Sequence, residues 1–382
     1  MKKVGIICEY NPFHNGHIYH LEKIKEMFPD SMIILVMSGS FTMRGELSLL
    51  NKWDKTMIAL QNGVDLSVEL STFYSTNSAD IFAKGAIKIL KELDCNYLVF
   101  GSECNDIDFL YDLAKTQIEN DEYNEKVKYY MDLGNNYPTS MSKALKDICG
   151  KTISLPNDIL GLSYIKQIII QKANIKPITI LRTNDYHDNL NNKKIASATS
   201  IRKALLEHHD ISFNVPKETL DKIIRINYEE KLFTLLKYQI LINMNNLNNF
   251  LDVDEGLDNL IRKNILKVKN YQELVNKIKT KRYTYNRINR MFTHILLNIK
   301  KDDVEKLKQI NYIRILGFSK KGKNYLKEIR KKTTIPIITN YSDLKDDNLS
   351  FELYFTNIYN MITNQNNLNL VELKSIPIKK ED

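Results

Sequence analysis

The sequence is poor in the features that mark several classes of protein. Its 382 residues include four cysteines and no C-x-x-C pair, which excludes a disulfide scaffold and a conventional cysteine zinc site. Scattered cysteines suit a reducing compartment, so we expect a cytoplasmic protein. No apolar run reaches the roughly 18 residues that a membrane span needs. The first apolar stretch, residues 4–8, is too short for a signal peptide and predicts a strand.

The overall composition is that of a globular protein, with 43% apolar and 26% charged residues. The length predicts two or three domains. The net charge of +9 is unevenly distributed, because residues 1–210 carry −2 and residues 211–382 carry +11. Basic residues concentrated in one part of a chain favour a polyanionic partner such as tRNA or another RNA. Basic, solvated helices from a Lys- and Asn-rich proteome would explain the same charge.

Apolar runs with β-rich composition alternate with helical patterns up to about residue 210. This alternation predicts an α/β fold with a doubly wound parallel sheet. After residue 210 helical patterns dominate. We therefore predict a catalytic domain over residues 1–208 and a mainly helical, basic domain over residues 209–382. The five predicted strands cover residues 4–8, 31–37, 64–70, 97–100 and 175–181.

The first motif with chemical content is His14-Asn15-Gly16-His17, which follows the first strand and opens a helix. Two imidazoles three residues apart share one face of the first helical turn. Backbone N–H groups at a helix N-terminus attract phosphate, and a glycine there lets the phosphate approach. Imidazoles can donate hydrogen bonds to the charge that develops when an α-phosphate is attacked. The pattern favours nucleotidyl transfer over a pair of half-buried or metal-binding histidines.

The second motif is a run of hydroxyl residues, 197–200, that leads into a helix carrying Arg202. Ser and Thr are preferred helix N-caps, and taken alone the run is no more than a capped helix. Because it ends the alternating domain that the histidine motif begins, it is a candidate binding site for β- and γ-phosphates. Arg202 would then clamp the phosphate charge.

The opening GIICEYNPFHNGH, residues 5–17, resembles the bacterial tRNA(Met) cytidine acetate ligase family of the H-x-G-H nucleotidyltransferase superfamily. The resemblance covers the whole chain and is densest over residues 4–205. Further segments that fit are VMSGSF at 36–41, RGE at 44–46, NKW at 51–53, GVDL at 63–66, EL at 69–70, FGSE at 100–103, PNDILG at 156–161, residues 197–202, and KRYT at 281–284. Ser71 replaces a frequent proline, and Ser40 and Met43 also differ from the usual family residues.

The resemblance implies a reaction in two steps. ATP and acetate form acetyl-adenylate and pyrophosphate, and the acetyl group then passes to N4 of the wobble cytidine of elongator tRNA(Met). We also expect magnesium as the partner of ATP, although no dedicated set of protein ligands is visible in the sequence. The catalytic residues that we expect from the two motifs are His14, His17 and Arg202. The implied ATP-contact residues are Ile7, Cys8, Glu9, Tyr10, Asn11, Pro12, Phe13, His14, Asn15, Gly16, His17, Ile18, Tyr19, His20, Gly101, Asn157, Arg182, Thr199 and Ser200.

A basic stretch with interleaved aromatic residues is the candidate tRNA-binding segment. Such residues can hold phosphates and stack an unpaired base, although a solvated basic face would have the same composition. The candidates are Lys281, Arg282, Tyr283, Arg287 and Arg290. Two other functions compete with the ligase: a nucleotidyltransferase acting on a small phosphorylated metabolite, and a non-catalytic RNA-binding protein that retains an ATP fold.

Overall fold

A computed structural model describes residues 1–182, 194–223, 228–365, 368–374 and 376–380. Its centre is a sheet of eight strands with the order β5-β4-β1-β2-β3-β6-β7, in which β8 also pairs with β6. The strands are β1 (Lys3–Cys8), β2 (Met32–Ser38), β3 (Leu66–Leu70), β4 (Tyr97–Ser102), β5 (Lys176–Leu181), β6 (Ile313–Phe318), β7 (Ile337–Ile338) and β8 (Ile378–Lys379).

The first five strands are all parallel, and each coincides with a predicted strand. The chain moves outward from β1 through β2 to β3, then returns to the other side of β1 for β4 and β5. The predicted α/β class and doubly wound arrangement are confirmed. The order of strands reverses between β1 and β4, and open α/β sheets bind ligands beyond the carboxyl ends of the strands at such a point.

Helices connect these strands and continue through the rest of the chain. The first half contains α1 (Asn15–Met27), α2 (Lys52–Gln61), α3 (Thr72–Ser75), α4 (Ala79–Glu92), α5 (Ile107–Glu119), α6 (Asp121–Asp132), α7 (Tyr137–Cys149), α8 (Pro156–Ile170) and α9 (Ala198–Leu206). The second half contains α10 (Lys217–Leu220), α11 (Glu229–Ile242), α12 (Leu257–Asn264), α13 (Tyr271–Ile278), α14 (Tyr285–Leu296), α15 (Val304–Leu307), α16 (Lys320–Ile329), α17 (Asp347–Thr363) and α18 (Leu368–Lys374). No helix in these described stretches is both long and apolar enough to cross a membrane.

The second half of the chain also contributes to the sheet. Strand β6 pairs antiparallel with β3, and β7 and β8 pair parallel with β6. Gly317 of β6 lies so close to α2 that a Cβ there would be 2.6 Å from Thr56 Cγ2. The division at residue 208 remains a prediction, although the later residues are helical and also extend the sheet of the first half.

Buried charges hold β6 beside β3. Lys52 Nζ lies 2.7 Å from carboxylate oxygens of both Glu69 and Glu372, and Arg314 forms a close ion pair with Glu372. Burial alone would lower the pKa of Lys52, but Glu372 and Glu69 outweigh it, so the pKa is raised. Because each charge has an opposite charge beside it, the four side chains form a compensated group in the interior.

Candidate active site

A cavity of about 390 Å³ opens at the carboxyl ends of β1, β4 and β5. Its walls come from the end of β1 and the start of α1, from the first turn of α8, and from the segment that leads into α9. Asn286 of α14 adds a wall from the second half of the chain. The cavity therefore lies at the reversal of strand order, and many of the predicted site residues meet there. Those that line it are Ile7, Cys8, Glu9, Tyr10, Asn11, His14, Gly16, His17, Tyr19, His20, Gly101, Asn157, Arg182, Thr199 and Arg202.

Backbone hydrogen bonds determine which ring nitrogen of each motif histidine carries the proton. His14 is the N-cap of α1, and its Nδ1 accepts the N–H of Gly16 at 3.0 Å. His17 Nδ1 accepts the backbone N–H of His14 at 3.1 Å. A nitrogen that accepts an N–H carries no proton, so in each neutral ring the proton is on Nε2. The rings stack with centroids 3.8 Å apart, and both residues present an Nε2–H donor.

The surroundings keep these imidazoles neutral. Burial, with smaller contributions from Arg182 and Arg202, lowers the pKa of His14 to about 3. Burial and the adjacent His14 hold the pKa of His17 well below its ordinary value. At neutral pH the two side chains are therefore hydrogen-bond donors and not acids. This suits the stabilisation of developing negative charge by preorganised donors.

Gly16 is required by close packing against His14. A Cβ on Gly16 would lie 2.9 Å from His14 Nδ1 and 2.8 Å from its Cε1. An alanine at this position would push the His14 ring away from the hydrogen bond that sets its tautomer. The glycine therefore serves the geometry of the histidines, in addition to the room for phosphate that the motif predicts.

His20, one turn further along α1, is half-buried in the cavity wall. Its Nε2 has no hydrogen-bond partner, and burial followed by the charge of Arg182 lowers its pKa to about 4. The folded state therefore resists protonation of His20, whereas the unfolded chain takes up this proton near pH 6.5.

We expect His20→Gln to make the protein less sensitive to acid. Between pH 6.5 and about 4, protonation of the unfolded chain costs the wild type about 1.4 kcal/mol of stability per pH unit, which amounts to about 3 kcal/mol at pH 4. The variant lacks this loss. Urea unfolding midpoints from pH 7.5 to 4.5 measure how the stability of each protein changes with pH. The substitution His208→Asn, at an exposed histidine, is the control. Parallel stability profiles for His20→Gln and wild type would contradict the expectation.

The second motif approaches the first through Arg202. Its Nη1 donates to the carbonyl oxygen of Asn11 at 2.9 Å, and its Nη2 lies 3.2 Å from Glu46 Oε2. Thr199 lines the cavity, and its Oγ1 accepts a 3.5 Å hydrogen bond from Arg44. The guanidinium of Arg202 is thus held against the loop that precedes the histidines. Glu46 compensates the charge of Arg202. The sequence did not predict this pair.

Glu103 organises the opposite wall of the cavity and was not predicted as a site residue. Its Oε1 accepts hydrogen bonds from Asn157 Nδ2 at 2.5 Å and from Asn157 N at 3.4 Å, and lies 4.0 Å from Arg182 Nε. Arg182 also lies over Gly101, where a Cβ would be 3.2 Å from Arg182 Cγ. Three predicted contact residues, Gly101, Asn157 and Arg182, are therefore brought together around one carboxylate. In the sequence, Glu103 was marked only by its place in the FGSE segment at 100–103.

Five residues of the predicted ATP-contact set do not line the cavity: Pro12, Phe13, Asn15, Ile18 and Ser200. Asn15 Nδ2 donates to the carbonyl oxygens of Lys194 and Phe213, both at 2.9 Å. The hydroxyl of Ser200 lies 2.8 Å from that of the N-cap residue Ser197. In this structure Asn15 and Ser200 bind protein groups, and ATP contact by any of the five remains a prediction.

Lys55 is a further buried residue that sequence reasoning did not select. Its Nζ donates to the carbonyl oxygens of Ser38 at 2.7 Å, Gly39 at 2.8 Å and Glu9 at 3.1 Å. Burial lowers its pKa to about 7, although Glu9 and Glu69 favour the charged form. The amine thus joins the carboxyl ends of β1 and β2 and contacts the cavity residue Glu9.

Known proteins match this chain over most of its length. A family model described as HIGH Nucleotidyl Transferase matches residues 1–372. The tRNA(Met) cytidine acetate ligase of Anoxybacillus flavithermus is 40% identical over 91% of both chains, and that of Clostridium acetobutylicum is 39% identical over 95% of this chain and 96% of its own. The chain belongs to the tRNA(Met) cytidine acetate ligase family. The crystal structure of apo Thermotoga maritima TmcAL covers 99% of both chains with a TM-score of 0.90 and 31% identity. A second form of that protein, bound with alpha-thio ATP, has a TM-score of 0.87.

In this family member, the candidate tRNA residues lie in the segment just before α14 and in the first half of that helix. Arg282 and the Tyr283 hydroxyl both bind Glu255, and Arg287 lies over the Tyr283 ring with its guanidinium carbon 4.6 Å from the ring centroid. The Tyr283 side chain is 4% exposed, so here it supports Arg287 and does not offer a face to a base. Arg290 Nη1 donates to the carbonyl oxygen of Met43 at 3.4 Å. Contact of Lys281, Arg282, Tyr283, Arg287 and Arg290 with tRNA remains a prediction.

Proposed function

We propose that the protein catalyses ATP-dependent formation of N4-acetylcytidine at the wobble position of elongator tRNA(Met). In the first step, acetate attacks the α-phosphate of ATP to give acetyl-adenylate and pyrophosphate. In the second, the acetyl group passes to N4 of the cytidine and AMP leaves. The observation that carries the proposal is a pair of neutral, Nε2-protonated imidazoles in the cavity of a fold shared with this ligase family.

The chain can accelerate the first step without a covalent intermediate. His14 and His17 each supply an Nε2–H donor, and the first turn of α1 adds backbone N–H groups and the positive end of its dipole. These fixed donors stabilise negative charge as it develops on the phosphates, and each such donor contributes about 10²- to 10³-fold in rate.

Arg202 is the proposed clamp for the pyrophosphate end of ATP. Its guanidinium already touches both Asn11 and Glu46. A triphosphate carries more negative charge than one carboxylate and can share or replace the contact with Glu46. Thr199 lies at the same side of the cavity, so its hydroxyl can add a hydrogen bond to the same phosphates.

Magnesium is proposed as the companion of ATP, held mainly by phosphate oxygens and water. Among the described residues, no group of three or more His, Cys, Asp or Glu side chains is placed to hold a metal ion. The residues described here thus provide donors for phosphate charge, and the ion would add its own charge to those oxygens when ATP brings it.

The elongator tRNA is proposed to approach along the start of α14, because this helix carries candidate basic residues and its Asn286 reaches the cavity. The positive charge of residues 211–382 supports a polyanionic partner. We place the reaction in the cytoplasm, where the tRNA would be found.

The decisive test uses purified protein, ATP, magnesium, labelled acetate and an unmodified elongator tRNA(Met) transcript. We expect labelled N4-acetylcytidine after nuclease digestion, and no label when the wobble cytidine is replaced by uridine. The competing nucleotidyltransferase function predicts ATP–pyrophosphate exchange that depends on a phosphorylated metabolite and ignores acetate and tRNA. Exchange of that kind, without label in the tRNA, would overturn the proposal.

A further inference from the structure

The second step needs a proton acceptor. When cytidine N4 attacks the acetyl carbon, an N–C bond forms and the bond from that carbon to the phosphate oxygen breaks. The electron pair of the broken bond leaves on AMP, and N4 must give up one proton. A general base that receives this proton must lie in the cavity and have an available lone pair within reach of the amino group.

The motif histidines are poorly placed for this role. In His14 and His17 the unprotonated Nδ1 is occupied by a backbone N–H, and the nitrogen that remains carries a proton. Arg182 and Arg202 are donors only. Glu9 is the only carboxylate among the described residues that line the cavity.

Glu9 is held by one carboxylate oxygen and leaves the other available. Its Oε1 accepts the backbone N–H of Met43 at 2.6 Å, and its carbonyl oxygen is fixed by Lys55 at 3.1 Å. Within the part of the chain that the structure describes, no hydrogen bond reaches Oε2. Burial raises the pKa of the carboxyl, which increases its basicity, and the Met43 hydrogen bond lowers it in part.

The surroundings place Glu9 on the side of the cavity that faces α14. The loop of residues 40–47 lies between them and is bound to both. Met43 N binds Glu9, whereas Arg290 Nη1 donates to the carbonyl oxygen of Met43 and Thr293 Oγ1 donates to that of Gly45 at 2.9 Å. Gly45, with a φ of +72°, packs so tightly that a Cβ would be 2.4 Å from Arg290 N. One loop therefore connects Glu9 with the helix along which the tRNA is proposed to approach.

We propose that Glu9 is the general base of acetyl transfer, accepting the N4 proton at Oε2 as AMP leaves. The proposal rests on the proposed function and assigns its two steps to different residues. Histidine donors serve the step that releases pyrophosphate, and Glu9 serves the step that uses tRNA. The proton passes from Glu9 to water once the modified tRNA has left, so the carboxylate is regenerated for the next turnover.

The test compares the two steps in Glu9→Gln, whose side-chain oxygen can still accept the Met43 N–H. The first step is followed as acetate-dependent ATP–pyrophosphate exchange. The second is followed in a single turnover, as acetyl transfer from synthetic acetyl-adenylate to the tRNA transcript. We expect transfer to fall at least 100-fold more than exchange, in keeping with the usual contribution of a general base. Wild-type transfer should rise with pH and level off, and the variant should lose this titration.

Glu46→Gln is the matched control, because it also removes one carboxylate from this neighbourhood but contacts Arg202. We expect it to change exchange at least as much as transfer. Equal losses of exchange and transfer in Glu9→Gln would assign Glu9 to ATP binding and overturn the proposal, as would transfer at the wild-type rate. If the wild type makes no N4-acetylcytidine, the proposed function itself fails, so the two failures are distinguishable. Thermal unfolding midpoints show whether each variant is folded.

Discussion

His14→Asn is expected to slow formation of acetyl-adenylate by about 10²- to 10³-fold, while leaving the protein folded. Asparagine is a strong helix N-cap whose side-chain oxygen can replace Nδ1 as the acceptor for Gly16 N–H. What the variant loses is the Nε2–H donor that faces the cavity. Acetate-dependent ATP–pyrophosphate exchange measures the loss, and the unfolding midpoint checks that α1 remains capped.

A second histidine provides the control for this substitution. His208 is exposed and has a φ of 59°, a backbone conformation that asparagine tolerates well. His208→Asn should therefore keep wild-type exchange. Exchange by His14→Asn within threefold of the wild type would refute the assignment of a catalytic donor. Normal tRNA binding by both proteins is expected in either case, because the basic residues are untouched.

Lys52→Met is expected to lower the free energy of unfolding by about 3–5 kcal/mol, the usual cost of breaking a buried ion pair. Lys52 is 2% exposed, and methionine is similar in length, so the main change is electrostatic. Glu69 and Glu372 would keep Arg314 as their only near cation in this group. Urea unfolding at pH 7 followed by circular dichroism gives the stability difference.

Lys306→Met tests whether loss of any lysine ion pair has this effect. Lys306 Nζ lies 3.3 Å from Asp347 Oδ2, and both side chains are mostly exposed. Exposed pairs of this kind contribute about 0–1 kcal/mol. We expect a small change for Lys306→Met and a large one for Lys52→Met. Similar losses in the two variants would show that the buried group does not hold β6 against β3.

Local sequence patterns were sufficient for β1 to β5 and for the histidine motif. A buried parallel strand is a short apolar run bounded by turns, and its signal lies within a few residues. The strand–turn–helix context of His14 and His17 is equally local. Their partners are backbone groups two and three residues away, and so their shared position at the start of α1 follows from the sequence.

Strand β6 was not predicted, because Arg314 and Gly317 interrupt its apolar pattern. Both become explicable only when distant residues are placed beside them. Arg314 can be buried because Glu372 and Glu69 compensate its charge, and Gly317 allows α2 to approach. Tyr283 has contacts of the same long-range kind. An aromatic residue among basic ones predicts base stacking from local composition, and only the tertiary structure shows that Glu255 binds its hydroxyl and that Arg287 lies over its ring.

The sequence by itself determined the order of elements in the first half of the chain, the histidine motif at the start of α1 and the sign of the charge in the second half. The tertiary structure alone decided which carboxylate meets which cation: Glu46 with Arg202, Glu103 with Arg182, and Glu372 with Lys52 and Arg314. The physical reason is the separation along the chain over which each kind of interaction acts. Helix caps and strand alternation act between near neighbours in the chain, whereas ion pairs and close packing depend on distances in space that no local pattern encodes.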